Sequence, residues 1–263
     1  MLGAIFGDVV GSVYEFNNIK TKDFELLNKR CFFTDDTVMS VAVADALLQY
    51  EKIDNIDDFK STLILKMHKY GKMYPNAGYG GRFAIWLLNE EREPYNSYGN
   101  GSAMRVSPVA WYSSSLEEAI ALAKASAEIT HDHPEGIKGA IATAGAIYLA
   151  RSSATMDEIK SFVSKYYNMD FTLDEIRPIY HFNETCMDTV PQALEAFFES
   201  KSFEDAIRNG VSIGGDTDTL CAITGAVAEA YYGMSKDEKE RILSYLTEPL
   251  INVVTEFSKY SGL

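Results

Sequence analysis

Hydrophobic positions follow a helical period along most of the chain. Apolar residues recur at three- and four-residue spacing in "DTVMSVAVADALLQY", "IDDFKSTLILKMHKY", "LEEAIALAKASAEI", "HPEGIKGAIATAGAIYLA", "VPQALEAFFES" and "FEDAIRNGV", which is the spacing of amphipathic helices. The strict alternation of a half-buried strand is not convincing in any segment. Ser115 before "LEE" and Pro134 are residue types that favour a helix start. The pattern predicts an all-α fold, a single compact multi-helix domain over residues 1–263.

The first segment, "MLGAIFGDVVGSVYEF", has a regular glycine spacing. Gly3, Gly7 and Gly11 recur every four positions, so a helix would place them on one face and allow another helix to pack close to its backbone. Asp8 and Glu15 are seven positions apart and would share a face of the same helix. Because Asp8 has apolar neighbours, we expect its carboxylate to be paired, hydrogen-bonded or bound to a cation.

A group of oxygen-bearing residues begins the helix predicted from "FTDDTVMS". Thr34, Asp35 and Asp36, here named the first acidic helix start, stand directly before the apolar face begins. One side-chain oxygen is enough to cap a helix, and carboxylates and hydroxyls are also the hard ligands that Mg²⁺, Mn²⁺ or Ca²⁺ takes. Taken alone, the segment fits ordinary capping better than a metal site.

The same grouping recurs in "SIGGDTDTLCAITGA" near the other end of the chain. Asp216, Asp218 and Thr219, here named the second acidic helix start, follow a glycine pair and precede a long apolar run. Capping would explain Asp216 and leave Asp218 unexplained. If the two starts face each other, four aspartates would repel one another unless cations lie between them. A centre that holds two divalent cations between the two helix starts is therefore physically reasonable.

Composition and charge exclude several classes of partner. The chain has 263 residues with 24 Lys plus Arg and 38 Asp plus Glu, a formal net charge of −14. This charge makes nucleic-acid binding unexpected and disfavours anionic membrane surfaces. The three cysteines are scattered without CxxC spacing, which argues against a disulfide framework or a thiolate zinc site and favours a cytoplasmic location. No segment reaches the roughly 20 apolar residues of a membrane span.

Five segments in order, "GAIFGDVVGSVYEF", "FTDDTVM", "YGNGSAMRVSP", "THDHPEG" and "GGDTDTLCAITGA", together resemble the ADP-ribosylglycohydrolase family. This family includes the dinitrogenase reductase-activating glycohydrolases and the ADP-ribosyl-acceptor hydrolases. The resemblance spans nearly the whole chain. It implies an all-α fold, two magnesium or manganese ions, and cleavage of the N- or O-glycosidic bond between ADP-ribose and an acceptor.

The resemblance also implies roles for individual residues. Metal ligands would be Thr34, Asp35, Asp36, Asp216, Asp218 and Thr219. Glu15 matches the family's acidic residue near the metals. Glu15, Asp35 and Asp216 are the predicted catalytic residues. The water-orienting base would be Glu15 or a metal-bound aspartate, and the sequence does not separate these alternatives.

The middle motifs are predicted to bind the rest of the ligand. In "YGNGSAMR", Asn100, Gly101 and Ser102 offer backbone amides and short side chains that could cradle a diphosphate. A tight turn that caps the next helix is the alternative. Met104 is assigned to the substrate site, although packing in the hydrophobic core is the better-supported alternative for its side chain. The resemblance makes His131 of "THDHPEG" a residue of the substrate pocket.

The predicted function is reversal of ADP-ribosylation by a metal-dependent hydrolase. The substrate would be an ADP-ribosylated protein, with arginine or serine as acceptor, or a small molecule. A non-catalytic ADP-ribose-binding module and a structural, crystallin-like member of the family are the alternatives. Cys221 is expected to be a small buried hydrophobe, and Glu229 is placed on the outer face of its helix. The acceptor and the oligomeric state do not follow from the sequence.

Overall fold

Helices form the regular structure of the described part of the chain. A computed structural model describes residues 1–50, 52–90 and 92–261. Within these ranges there is no strand, and an isolated antiparallel bridge joins Gly99 to Thr185. The helices are α1 Leu2–Gly11, α2 Asp35–Leu47, α3 Ile56–Met73, α4 Gly81–Leu88, α5 Gly101–Met104, α6 Ser107–Tyr112, α7 Leu116–Glu128, α8 Pro134–Arg151, α9 Met156–Val163, α10 Leu173–Ile176, α11 Cys186–Phe198, α12 Phe203–Ile213, α13 Thr217–Tyr232, α14 Lys236–Leu243 and α15 Glu248–Ser261.

The helices begin at the residues that cap them. Ser115 accepts a hydrogen bond from the Glu118 amide at the start of α7, and Pro134 is the first residue of α8. α11 begins earlier than the periodic segment predicted, because Thr185 caps it by accepting from the Asp188 amide. The prediction of an all-α, single compact domain is confirmed, and one hydrophobic core joins side chains from α1, α2, α8, α11 and α13.

The three glycines of α1 pack against the backbone of α13. A Cβ atom added at Gly3 would lie 2.2 Å from the Gly225 carbonyl oxygen, and one at Gly7 would lie 1.8 Å from that of Cys221. One at Gly11 would lie 2.3 Å from the Thr217 carbonyl oxygen. The partners run backwards by four residues at each step, so the two helices are antiparallel and their backbones are in contact. The close packing predicted for this glycine face is confirmed.

The antiparallel packing places the end of α1 beside the start of α13. The Thr217 hydroxyl donates to the Gly11 carbonyl oxygen at 2.9 Å and so satisfies one of the carbonyls left free at the end of α1. Because α1 ends at Gly11, Glu15 lies in the segment that follows the helix. The expectation that Asp8 and Glu15 share a helix face is therefore wrong, and the turn after α1 brings Glu15 to the start of α13 instead.

Asp8 joins α1 to the start of α2. Its Oδ1 accepts from the Thr34 hydroxyl at 2.8 Å, and its Oδ2 accepts from the Thr34 amide at 3.0 Å and the Thr37 amide at 3.1 Å. The Thr37 hydroxyl also donates to Oδ2. The side chain is fully buried. Of the three states expected for Asp8, the structure contains the hydrogen-bonded one, and these bonds fix the first acidic helix start against α1.

Glu229 lies inside the molecule, so its placement on the outer face of α13 is wrong. Its side chain is buried and its Oε2 accepts from the Gly3 amide at 2.8 Å and from the Met1 ammonium at 2.5 Å. Glu229 faces inward because the start of α1 packs against this part of α13, with Gly3 next to the Glu229 side chain. Cys221 is fully buried, as expected. Among the described residues, no helix is long and apolar enough to cross a membrane.

Gly7→Ala is expected to destabilise the protein by about 3 kcal/mol or more, because the new methyl group would collide with the α13 backbone, which cannot move without repacking the core. Urea unfolding measures the effect. Gly81→Ala is the matched control, since a Cβ atom there meets nothing within 4 Å, and its free energy of unfolding should change by at most about 1 kcal/mol. Equal stabilities of the two variants would contradict the packing described for α1 and α13.

Candidate active site

The two acidic helix starts meet, although about 180 residues separate them in the chain. The Thr219 hydroxyl of the second start donates to Asp36 Oδ2 of the first at 3.2 Å. Carboxylate oxygens of Glu15, Asp216 and Asp218 lie within 4.8 Å of one another. Glu15, Asp35, Asp36, Asp216 and Asp218 are named the acidic cluster below.

Thr34 caps α2 and orients the two aspartates that follow it. Its side chain accepts from the Asp36 amide at 3.3 Å, so Asp35 and Asp36 occupy the first turn, where the helix dipole favours negative charge. The Asp35 amide donates to the Ala77 carbonyl oxygen at 2.8 Å. The glycine-rich segment "NAGYGG" is thereby held against the first acidic helix start.

The second acidic helix start differs from the first because its N-cap side chain does not cap the helix. Asp216 is the N-cap residue of α13, yet its side chain accepts no amide of the described first turn. It accepts instead from Asn100 Nδ2 at 2.7 Å. Capping as the reason for Asp216 is therefore wrong, because the carboxylate is turned toward the motif "YGNGSAMR". Gly214 and Gly215 have φ of +71° and +84°, a left-handed backbone that glycine adopts readily.

Burial and mutual repulsion raise the pKa values of the cluster. Burial, with the charges of Asp218 and Asp8, raises the pKa of Glu15 to about 8. Burial also raises the pKa of Asp216 to about 6, although its hydrogen bonds oppose the change. For Asp36 and Asp218, burial and neighbouring carboxylates raise the pKa well above the ordinary range. These shifts all favour the protonated carboxyl groups, and a bound cation would oppose them.

The donor atoms fit hard divalent cations. Asp36 Oδ1 is buried and has no hydrogen-bond partner among the described residues, and an unpartnered buried carboxylate oxygen is costly unless a cation compensates it. The surrounding groups are carboxylates and threonine hydroxyls, the ligand types of Mg²⁺ and Mn²⁺. The six residues predicted to bind metal therefore lie together, and their side chains are donors of a type suited to these cations.

A cavity of about 390 Å³ opens beside the acidic cluster. Of the predicted substrate-binding residues, Asn100, Gly101, Met104 and His131 line it. Ser102 does not: its side chain is fully buried, and its hydroxyl donates to the Gly136 carbonyl oxygen at 2.7 Å. The structure thus gives Ser102 a packing role in place of a ligand contact.

His131 is held in the neutral form at the cavity wall. Burial, with the nearby charges of Arg105 and Arg82, lowers its pKa well below the ordinary value. Its Nδ1 lies 2.8 Å from the Thr130 hydroxyl. A Cβ atom at Gly101 would lie 3.1 Å from His131 Nε2. Glycine at this position therefore leaves room for the imidazole.

Arg105 lines the cavity, although its motif predicted no role for it. Its guanidinium is almost fully buried and donates through Nη2 to the Ser126 carbonyl oxygen at 2.9 Å and to the Thr130 hydroxyl at 2.8 Å. Thr130 thus connects Arg105 to His131. The signal was the last letter of "YGNGSAMR", a charged residue at the end of an otherwise small and apolar helical turn.

Aromatic side chains form an exposed rim near Glu15. Phe16 and Phe32 line the cavity and are 79% and 54% exposed. The Phe16 ring stacks on Phe182 with 6.0 Å between centroids. Large exposed apolar side chains beside a cavity mark surface available to a ligand, and periodicity could not indicate them because Phe16, Phe32 and Phe182 all lie outside helices.

Comparisons with known proteins agree with this arrangement. The chain is 26% identical to the human ADP-ribosylhydrolase ARH3, over 90% of this chain and 85% of that protein. It is 25% identical to the ADP-ribosylarginine hydrolase Tri1 of Pseudomonas putida, over 89% of this chain and 70% of that protein. A solved structure described as an ADP-ribosylglycohydrolase-related protein complex shares the fold, with a TM-score of 0.69, 22% identity, and coverage of 99% of this chain and 97% of that chain. The family model for ADP-ribosylglycohydrolase matches residues 1–256, and the chain belongs to this family.

Proposed function

We propose that this protein is a hydrolase that cleaves the glycosidic bond between ADP-ribose and an acceptor, and so reverses ADP-ribosylation. The observation that carries the proposal is the meeting of the two acidic helix starts beside a cavity, with Thr219 bonded to Asp36 across them. Membership of the family and the names of its relatives support the substrate class. The reaction breaks the bond from the anomeric carbon to the acceptor nitrogen or oxygen, and water supplies the new oxygen and the proton for the leaving group.

The two acidic helix starts would hold two divalent cations, Mg²⁺ or Mn²⁺. The residues that would hold them are Thr34, Asp35, Asp36, Asp216, Asp218 and Thr219. Bound cations would supply positive charge for substrate oxygens and for water. They would also favour the ionised carboxylates whose pKa values burial and mutual repulsion raise.

Glu15 is the candidate proton acceptor of this site. Its carboxylate is half-buried and lies with Asp216 and Asp218 within 4.8 Å. Burial and neighbouring carboxylates raise its pKa to about 8, and bound cations would lower that pKa, so that Glu15 is ionised and can accept a proton at neutral pH. Asp35 and Asp216 are the other two candidates. Asn100 would keep Asp216 aimed at the cavity.

The rest of the cavity would bind the remainder of ADP-ribose. Backbone of Gly99 and Gly101 lines it without side-chain obstruction, and the buried Arg105 places a positive charge nearby. The acceptor would leave past the aromatic rim, where arginine and serine linkages both remain candidates. The cytoplasm stays the predicted compartment, and the three cysteines are free and buried.

Hydrolysis is tested with ADP-ribosyl-arginine and ADP-ribosyl-serine peptides, each with Mg²⁺ and with Mn²⁺. Released ADP-ribose is measured by chromatography. We expect release from at least one linkage, and a loss of about 10³-fold or more in Asp36→Ala and Asp216→Ala. Asp170→Ala, which removes an exposed aspartate, should retain full activity. Binding of ADP-ribose without release from either peptide would contradict the proposal and leave a binding module.

Asp218→Asn is expected to stabilise the cation-free protein, because it removes one of the mutually repelling carboxylates and retains the oxygen that accepts from the Thr219 amide. In chelator at pH 7 the gain should be about 1–2 kcal/mol. Added Mn²⁺ should raise the thermal midpoint of the parent protein and raise that of the variant much less. A variant less stable than the parent in chelator would contradict the electrostatic interpretation of the cluster.

A further inference from the structure

The turn before Asp216 has little conformational restriction of its own. Gly214 and Gly215 form it, and consecutive glycines allow more backbone conformations than any other residue pair. Asp216 must nevertheless keep a carboxylate oxygen within 4.8 Å of those of Glu15 and Asp218, an arrangement that charge repulsion opposes whenever these groups are ionised. A contact from elsewhere in the chain is needed to hold this turn in place.

Asn18 makes that contact. Its Nδ2 donates to the Gly215 carbonyl oxygen at 2.9 Å, and its Oδ1 accepts from the Gly215 amide at 2.8 Å. The same Nδ2 lies 2.7 Å from the Tyr14 carbonyl oxygen and 2.9 Å from that of Glu15. One carboxamide therefore joins the backbone that carries Glu15 to the residue directly before Asp216.

Lys20 makes a second contact to the same turn. Its ammonium donates to the Ile213 carbonyl oxygen at 2.5 Å and to the Tyr180 carbonyl oxygen at 2.7 Å. Ile213 is the last residue of α12, where the helix dipole favours a positive charge. Asn18 and Lys20 thus fix both ends of the turn at 213–215.

We propose that Asn18 is a positioning residue, which acts through Glu15 by holding it in register with Asp216 and Asp218. The rate measurement that tests this rests on the proposed function, whereas the cation measurement does not. Asn18 is itself exposed, so Asn18→Ala removes little buried surface and should fold. The neighbouring Asn17 is also exposed and provides the matched control.

The experiment is a double-mutant cycle of Asn18→Ala with Glu15→Gln, read out as kcat/KM and as Mn²⁺ affinity by calorimetry. Asn18→Ala should lower kcat/KM about 10- to 100-fold, since small displacements of catalytic groups have effects of this size, and it should weaken Mn²⁺ binding. Asn17→Ala should change neither beyond about twofold. In the Glu15→Gln background, adding Asn18→Ala should have little further effect, because residues that act as a unit are not additive.

Several results would overturn the proposal. Fold-changes that multiply in both readouts would mean that Asn18 does not act through Glu15. A lower thermal midpoint with unchanged kcat/KM and Mn²⁺ affinity would reduce Asn18 to a structural residue. If the parent protein cleaves neither peptide, the proposed function fails and the Mn²⁺ cycle alone decides the role of Asn18. Lys20→Met should lower kcat/KM and Mn²⁺ affinity by a smaller factor than Asn18→Ala. No change in either would count against the proposal that holding residues 213–215 in place positions the site.

Discussion

The contact between the backbones of α1 and α13 is the constraint on which the site depends. Glycine at positions 3, 7 and 11 lets the two helices approach until a Cβ atom would overlap a carbonyl of α13. Because the helices are antiparallel, this approach also fixes which ends meet. The segment after α1 then places Glu15 at the start of α13, where Asp218 lies. Asp8 of α1 fixes the start of α2 against α1.

The acidic cluster is held by neutral donors. Asp8 accepts from threonine hydroxyls and amides, Asp216 from Asn100, and Asp36 from Thr219. Within the described ranges, none of the ion pairs includes Asp8 or a member of the cluster. Neutral donors orient carboxylates without neutralising them, so protons or bound cations would have to compensate the charge of the cluster. Repulsion within the cluster would therefore destabilise the fold when no cation is bound, and cation binding would stabilise it.

The sequence predicted the features that are local or periodic. Neighbouring residues were enough to predict the helices, capping within residues 34–36, the glycine face of α1 and the grouping of Asp216 with Asp218. It failed where a side chain serves a distant partner. Asp216 stands at a cap position but bonds to Asn100, Glu229 turns inward to Gly3, and Ser102 bonds to Gly136. Spacing along the chain does not encode which of several nearby donors tertiary packing will supply.

The residues proposed to hold ADP-ribose and the residues that could select the acceptor differ in burial. The first are buried and the second are exposed. Asp36, Asp216 and Asp218 are buried where the starts of α2 and α13 meet, so a substitution in any of them changes the acidic cluster itself. Phe16 and Phe32 at the rim are exposed and belong to no helix, so substitutions there cost little stability. Acceptor preference can therefore vary at the rim while the cluster stays fixed, which is why the motifs indicate the reaction and leave the acceptor open.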